Sequence, residues 1–225
     1  EISACLVGSE MCIRDRSDPV LGVEAGGLQS AEALLLARHF MYSQVYFHPV
    51  RMAYDIHLQE FLKSWLPGGR FKTTVREHLG MADHDIMTAL VKAARAPNRP
   101  QHEPARRIVR REHFRLLYQR HPDDVKINPD PGRAVSDHAS TKFGMEKVRH
   151  RQRMGGGQTS DFPVLMHDGR VASAFSMSEV LQKLPVTSFD YVFIDPSVRD
   201  AAGEWLSGDR NAILQSVHGG GHGQA

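Results

Sequence analysis

The sequence predicts an α+β chain, a set of long helices followed by a small lobe in which strands and helices mix. Three observations carry that reading. Residues 28–66 are rich in Ala, Leu, Met, Gln and Arg, all good helix formers, and the run stops at Pro67-Gly68-Gly69. The pattern changes after Asn128-Pro129-Asp130-Pro131-Gly132, a cluster of turn formers. Beyond it the tail half reads strand–strand–helix–strand–helix.

Each element has a local reason. Pro49 interrupts the first run, because its ring would clash with the carbonyl of Val45, so a kink or two helices meeting is expected there. Met41, Val45, Met52 and Ile56 keep helical spacing, and Phe61, Leu62 and Trp65 close the run. Asp83 is expected to cap a helix from Asp85 to Arg95, with Ile86, Leu90 and Val91 inward. Pro97, Pro100 and Pro104 mark a loop, and a basic helix from Ala105 to Glu112 leads into a strand-like stretch, Phe114 to Tyr118. Val135 to Phe143 reads as a helix, Lys147 to Arg151 as a short strand, and Gly155-Gly156-Gly157 as a flexible connection. A hairpin follows, Phe162 to Met166 and Arg170 to Phe175 around His167-Asp168-Gly169. Ser176 with Glu179 has the form of a capping box, before a helix carrying Met177, Val180, Leu181 and Leu184. Tyr191 to Ile194 reads as a buried strand and Pro196 to Leu206 as a helix. The expected domains are 17–127, helical; 128–210, the small α+β lobe; and 211–225, a disordered Gly/His tail whose His218 and His222 would bind metal only weakly.

Composition excludes several classes. The 225 residues are 41% apolar and 24% charged, which suits a chain with a buried core. No apolar run approaches the roughly 20 residues of a membrane span. The 28 basic residues against 26 acidic ones are too even to signal nucleic-acid binding by bulk charge. Leu6 to Arg16, LVGSEMCIRDR, looks like one reading frame of a transposon-type sequencing adapter, and residues 1–16 are set aside as an artefactual leader. Cys5 and Cys12 leave with it, so no disulfide, zinc thiolate or cysteine nucleophile is expected, as suits a cytoplasmic protein. The genuine chain is then expected to begin in mid-gene near Ser17, as a C-terminal piece.

The constellation that points to chemistry is Arg38, Tyr42, Tyr46 and His48. Arg38, Tyr42 and Tyr46 are spaced i, i+4, i+8 and share one side of a helix. Arg38 and Tyr46 would stand ~12 Å apart along the axis, the reach of a nucleoside triphosphate from terminal phosphate to sugar. A guanidinium fork suits paired phosphate oxygens, and a tyrosine offers a flat face with a polar end. His48 falls about 200° round the helix from Tyr46 and serves another surface. Alone, these residues read first as an amphipathic helix with half-buried tyrosines and Arg38 paired to a carboxylate. A second cluster, Arg106, Arg107, Arg110 and Arg111 with Arg149, Arg151 and Arg153, reads as an anion site or, with the larger share, as a solvated face pairing with Glu103, Glu112 and neighbouring acids.

The stretch from Gly22 to Leu62, centred on Leu36 to His48, resembles the HD-domain phosphohydrolases, with the deoxynucleoside triphosphate triphosphohydrolases as the closer branch. In that family the helix after the metal site carries an Arg, seven residues, a Tyr, one residue and a His, as Arg38, Tyr46 and His48 do. The resemblance continues through Ala105 to Arg111 with Phe114-Arg115, then Lys142-Phe143-Gly144, Asp161 to Val164 and Ser178 to Leu181, and so covers nearly all of residues 20–207. It implies long helices from the C-terminal side of an all-α HD-type domain, followed by the α+β lobe. It implies hydrolysis of nucleotides, of deoxynucleoside triphosphates to nucleoside plus triphosphate, by the intact protein. Arg38 would contact the substrate phosphates, Tyr46 would meet the sugar or the reacting end, and Tyr42 would join them in binding the substrate. His48 and Arg115 would belong to a second nucleotide site or, for His48, a neighbouring subunit; Pro49 departs from the basic residue relatives often carry. The family's divalent metal (Mn, Mg or Fe) is held by a His, a His-Asp pair and a distant Asp, and activates water.

Those ligands would precede position 17, so no metal ligand and no catalytic residue is assigned in this chain, and the piece is expected to be inactive alone. His84-Asp85, with His57 and Asp137, is rejected as a ligand set because it opens a solvent-facing helix; His167-Asp168 is a turn. The expected partners are the nucleotide and further copies of the chain, with nucleic acid not favoured and no membrane. Truncation is expected to leave an apolar side of the long helix exposed. The alternative is a non-catalytic nucleotide- or nucleic-acid-binding or oligomerising module.

Overall fold

Each of the two units into which the chain divides is assembled from two separate segments, residues 1–46 with 154–188 and residues 47–153 with 189–225. The computed structural model describes residues 10–13, 20–153, 161–185 and 188–216. In chain order the strands are β1 (Glu10–Ile13), β2 (Val20–Glu24), β3 (Arg115–Gln119), β4 (Val148–Arg153), β5 (Pro163–Leu165), β6 (Val171–Ser173) and β7 (Phe189–Ile194). The helices are α1 (Leu28–Phe40), α2 (Pro49–Trp65), α3 (Val75–Leu79), α4 (Asp83–Ala94), α5 (His102–Val109), α6 (Pro122–Ile127), α7 (Pro131–Phe143), α8 (Ala174–Met177), α9 (Glu179–Lys183) and α10 (Arg199–Gln215). The fold is α+β, as the sequence predicts. The boundary expected at 127/128 falls inside the second unit, whose sheet takes strands from both sides of it.

The first unit is a sheet in the order β1-β2-β5-β6 with α1, α8 and α9. The expected hairpin is present: Pro163 faces Ser173 and Leu165 faces Val171. Its turn needs Gly169, which sits at φ 82°, a left-handed conformation glycine adopts without a side-chain clash. Asp168 steadies the turn by accepting from the Arg170 N–H at 3.0 Å. β5 then runs parallel to β2, with Val23 opposite Val164. Leu28, Val164, Ala174 and Leu181 form the core of this unit. The capping box expected at Ser176 is absent. Ser173 caps α8 through the Ser176 N–H, and Ser178 caps α9 through the Leu181 N–H at 3.1 Å, so one helix is split into two short ones.

The second unit is built on an antiparallel sheet in the order β3-β7-β4. All six residues of the central strand β7 are buried. β7 begins at Phe189, two residues before the sequence suggests, because Asp190 breaks the apolar pattern while lying fully inside. Its carboxylate takes the imidazole of His150 at 2.6 Å and the Gly132 N–H at 3.2 Å. Residues of α7 and α10 pack with the sheet through Ala134, Val135, Ala139, Ala202, Leu206 and Ile213. A second cluster joins α2, α4 and α5 through Phe61, Leu90, Ala93, Ala94 and Ala105.

Several helix ends differ from the sequence reading. α4 begins at Asp83 rather than being capped by it, and the Asp85 carboxylate accepts from the Ala82 N–H at 2.9 Å. α10 runs to Gln215, so residues 211–215, assigned to a tail by composition, are helical, with Ile213 and Leu214 buried. The glycines at 155–157 and His218 to His222 lie outside the described residues, as do residues 1–9 and 14–16 of the segment that the sequence reading sets aside; residues 10–13 pair with β2.

Candidate functional site

α1 and the turn after it carry the first group of candidates. α1 ends at Phe40, and Met41–Tyr46 continue as a π-helical turn, a rare form often found at functional sites. The chain then breaks. His48 has φ −59° and ψ 132°, the extended conformation required of a residue before proline, and Pro49 takes the first position of α2, where its missing N–H costs nothing. One helix therefore ends and another begins around Pro49, and the angle drawn from Tyr46 to His48 along a continuous helix does not apply.

The structure brings Arg38, Tyr42 and Tyr46 into one ladder. The Arg38 guanidinium carbon lies 5.6 Å from the centroid of the Tyr42 ring, a cation–π distance, and the Tyr42 and Tyr46 rings are 5.3 Å apart. Arg38 and Tyr46 are exposed, and Tyr42 is half-buried between them. The carboxylate partner that an ordinary amphipathic helix would give Arg38 is absent among the described residues. Leu34, Phe40, Met41 and Val45 on the same helix and turn are exposed as well. That leaves an apolar side uncovered, as the sequence reading expects.

His48 and Arg115 belong to the second unit. His48 serves the helix it precedes, because its Nδ1 accepts from the Val50 N–H at 3.3 Å and caps α2. Arg115, exposed on β3, donates to His113 Nε2 at 3.0 Å. Burial and the charge of Arg115 push the His113 pKa down, which suits an imidazole that accepts from a cation.

Three of the seven arginines of the basic cluster are answered by carboxylates; Arg151 donates to Gln59, Arg153 lies over the Phe47 ring, and Arg110 and Arg111 are exposed. Arg106 pairs with Glu103 at 3.0 Å and with Glu112. Arg107 pairs with Glu103 at 2.9 Å and with Asp195 at 2.6 Å. Arg149 holds Glu60 at 2.7 Å. Arg107 and Arg149 also lie 4.5 and 5.3 Å from the centroid of Phe114. Buried His57 completes this network, and no pattern in the sequence signals it. Its Nε2 accepts from the Phe114 N–H at 3.1 Å, so Nδ1 carries the proton and faces Glu60 Oε2 at 3.4 Å. Burial works to raise the Glu60 carboxyl, but the hydrogen bonds from His57 and Arg149 and the Arg149 charge prevail and hold it at about 2. Phe114, His57 and Glu60 thus tie β3 and β4 to α2, a structural role.

Among the described residues no three His, Cys, Asp or Glu side chains converge into a group that could hold a metal ion. His84 and Asp85 stand at the exposed start of α4, 3.3 Å apart. No described helix is long and apolar enough to cross a membrane.

The family model for the HD associated region matches residues 10–143, more than half of the chain, and the chain belongs to that family. Solved structures share the fold. A hypothetical protein from Aquifex aeolicus matches with a TM-score of 0.72 and 25% identity over 90% of this chain and 50% of its own. A phosphohydrolase from Bacteroides thetaiotaomicron VPI-5482 matches with a TM-score of 0.57 and 19% identity over 86% of this chain and 55% of its own. The chain therefore spans about half the length of each. No match is found among the curated proteins.

Proposed function

We propose that the chain is the nucleotide-anchoring part of an HD-type phosphohydrolase, and that the protein of full family length splits deoxynucleoside triphosphates into nucleoside and triphosphate. The observation that supports this most is Arg38: an exposed guanidinium set against Tyr42, with no carboxylate partner among the described residues, beside a second exposed ring at Tyr46. A cation left without a counter-charge and oriented by an aromatic face suits a phosphate chain. Arg38 would donate to phosphate oxygens and stabilise the charge that grows on them during cleavage. Tyr42 would hold the guanidinium in place, and Tyr46 would rest against the sugar. His48 and Arg115 would contribute to a second nucleotide site. The family resemblance implies a divalent metal that supplies an activated water when bound. The described residues do not form a ligand set for it, so the roles proposed for this chain are binding and charge stabilisation. A homo-oligomer using the exposed apolar residues of α1 and the π-turn is part of the same reading. The paired state of Arg106, Arg107 and Arg149 argues against the nucleic-acid alternative.

Calorimetric titration of dATP into the chain and its Arg38→Ala variant tests the reading. Loss of charge-assisted hydrogen bonds should weaken binding about ten- to a hundredfold. The chain by itself should release no triphosphate. Equal affinity of the two proteins for dATP would overturn the assignment of Arg38. Steady release of triphosphate by the 225-residue chain would overturn the division of roles.

A further inference from the structure

The second unit holds a cavity that this reading leaves unused. α2, α4 and the segment before α5 line a space of about 410 Å³, whose walls include Trp65, Asp85, Lys92, Arg99 and Gln101. That volume lies within the roughly 300–1,000 Å³ of small-molecule sites. Its charges do not cancel. The Asp85 carboxylate is already engaged by the Ala82 N–H at 2.9 Å and by His84 at 3.3 Å. Lys92 and Arg99 have no ion-pair partner among the described residues, and they reach the cavity from different elements, one from α4 and one from the loop after it. Trp65 supplies an aromatic wall. It stacks on Phe61, with centroids 5.8 Å apart and planes 15° from parallel, and remains only half-buried, so part of the indole faces the cavity. Gln101 fixes the opposite segment by donating to the Ser64 carbonyl at 2.7 Å.

We propose that this cavity binds a phosphate monoester carrying a planar ring, of the class of nucleoside monophosphates and aryl phosphates. An arginine fork and a lysine point charge together match a dianionic phosphate better than a single carboxylate. The indole takes the flat ring as aromatic walls do in ligand pockets. The site belongs to the second unit and stands independently of the Arg38 ladder, which belongs to the first.

Trp65 is also the reporter, since the chain has two tryptophans and Trp205→Phe leaves it alone. AMP added to the Trp205→Phe protein should change its fluorescence saturably, and inorganic phosphate should compete. Arg99→Glu and Lys92→Glu, both at exposed positions, should each weaken AMP binding at least about tenfold, read also by calorimetry in chains that keep Trp205. The proposal is overturned if no saturable response is found, if AMP binds the Glu variants as tightly as the natural chain, or if adenosine binds as tightly as AMP.

Discussion

Replacing Gly132 by alanine tests the most constrained contact in the second unit. Gly132 is buried in the first turn of α7, and a Cβ built there falls on the carboxylate of Asp190, well inside van der Waals contact. That carboxylate cannot swing away without loss. It is fully buried, holds His150 at 2.6 Å, and accepts from the Gly132 N–H itself at 3.2 Å. Displacing it sacrifices a hydrogen bond to a charged acceptor, worth about 1.5–3 kcal/mol. It also strains the His150 contact, in a place where breaking a buried pair costs about 3–5 kcal/mol. The gain from a less flexible unfolded chain is only about 0.4–1 kcal/mol. The net expectation for Gly132→Ala is destabilisation by about 2–4 kcal/mol, which for a chain of this size lowers Tm by about 5–15 °C. Thermal and urea unfolding followed by circular dichroism measure it. The cause is separable with Asp190→Ala, which removes the obstacle: in that background the alanine should cost nothing. Costs that simply add, or a Gly132→Ala chain as stable as the natural one, would refute the reasoning.

Two further predictions concern pH. Glu60 is held at about 2 against its usual 4.5, so its contribution is present above about pH 4.5 and is lost as the pH falls through about 2. The full shift would be worth about 3 kcal/mol; with a third of the side chain exposed we expect about 1–2 kcal/mol, absent in Glu60→Gln, from unfolding curves at pH 5 and pH 2. Burial, then the hydrogen bond to Asp124 and the Asp124 charge, raise the Tyr118 phenol above its usual 10.0. Its share of stability is therefore complete below about pH 10 and lost as the pH climbs through the raised value. Burial raises the Tyr191 phenol as well, so two tyrosines should titrate late in the ultraviolet, and the Tyr118 phenol should be the more resistant, holding out until the chain unfolds. Tyr118→Phe should remove that resistant phenol and cost about 1 kcal/mol, since Asp124 keeps Arg210 at 2.7 Å.

What the sequence made legible was local. Pro49 announced the break between α1 and α2, Asp168-Gly169 announced the hairpin, and the i, i+4 spacing of Arg38, Tyr42 and Tyr46 put their side chains in a row. The pairing of Arg106 and Arg107 with Glu103, and of Arg106 with Glu112, was legible for the same reason. What stayed hidden was settled at long range. β2 finds β5 far down the chain, so the units interleave where composition suggested one boundary. Glu60 and Arg149 are 89 residues apart, and Arg107 and Asp195 are 88 apart. Asp190 concealed two residues of the central strand, because its partners His150 and Gly132 come from β4 and α7.

The same distinction sorts the cations. By composition Arg38, Arg99, Arg107 and Arg149 are equivalent charges, and the arginine-dense segment around Arg107 draws attention first. In the fold, Arg107 and Arg149 are absorbed by carboxylates, at 2.6 Å from Asp195 and 2.7 Å from Glu60, and serve to join elements. Arg38 and Arg99 have no carboxylate partner among the described residues; Arg38 is set against an aromatic ring, and Arg99 shares a cavity with one. A bound anion would have to displace a carboxylate from Arg107 but only water from Arg38 or Arg99. Charge reversal at Arg107 should therefore lower stability, whereas charge reversal at Arg38 or Arg99 should lower affinity for phosphate compounds and leave the unfolding midpoint nearly where it was.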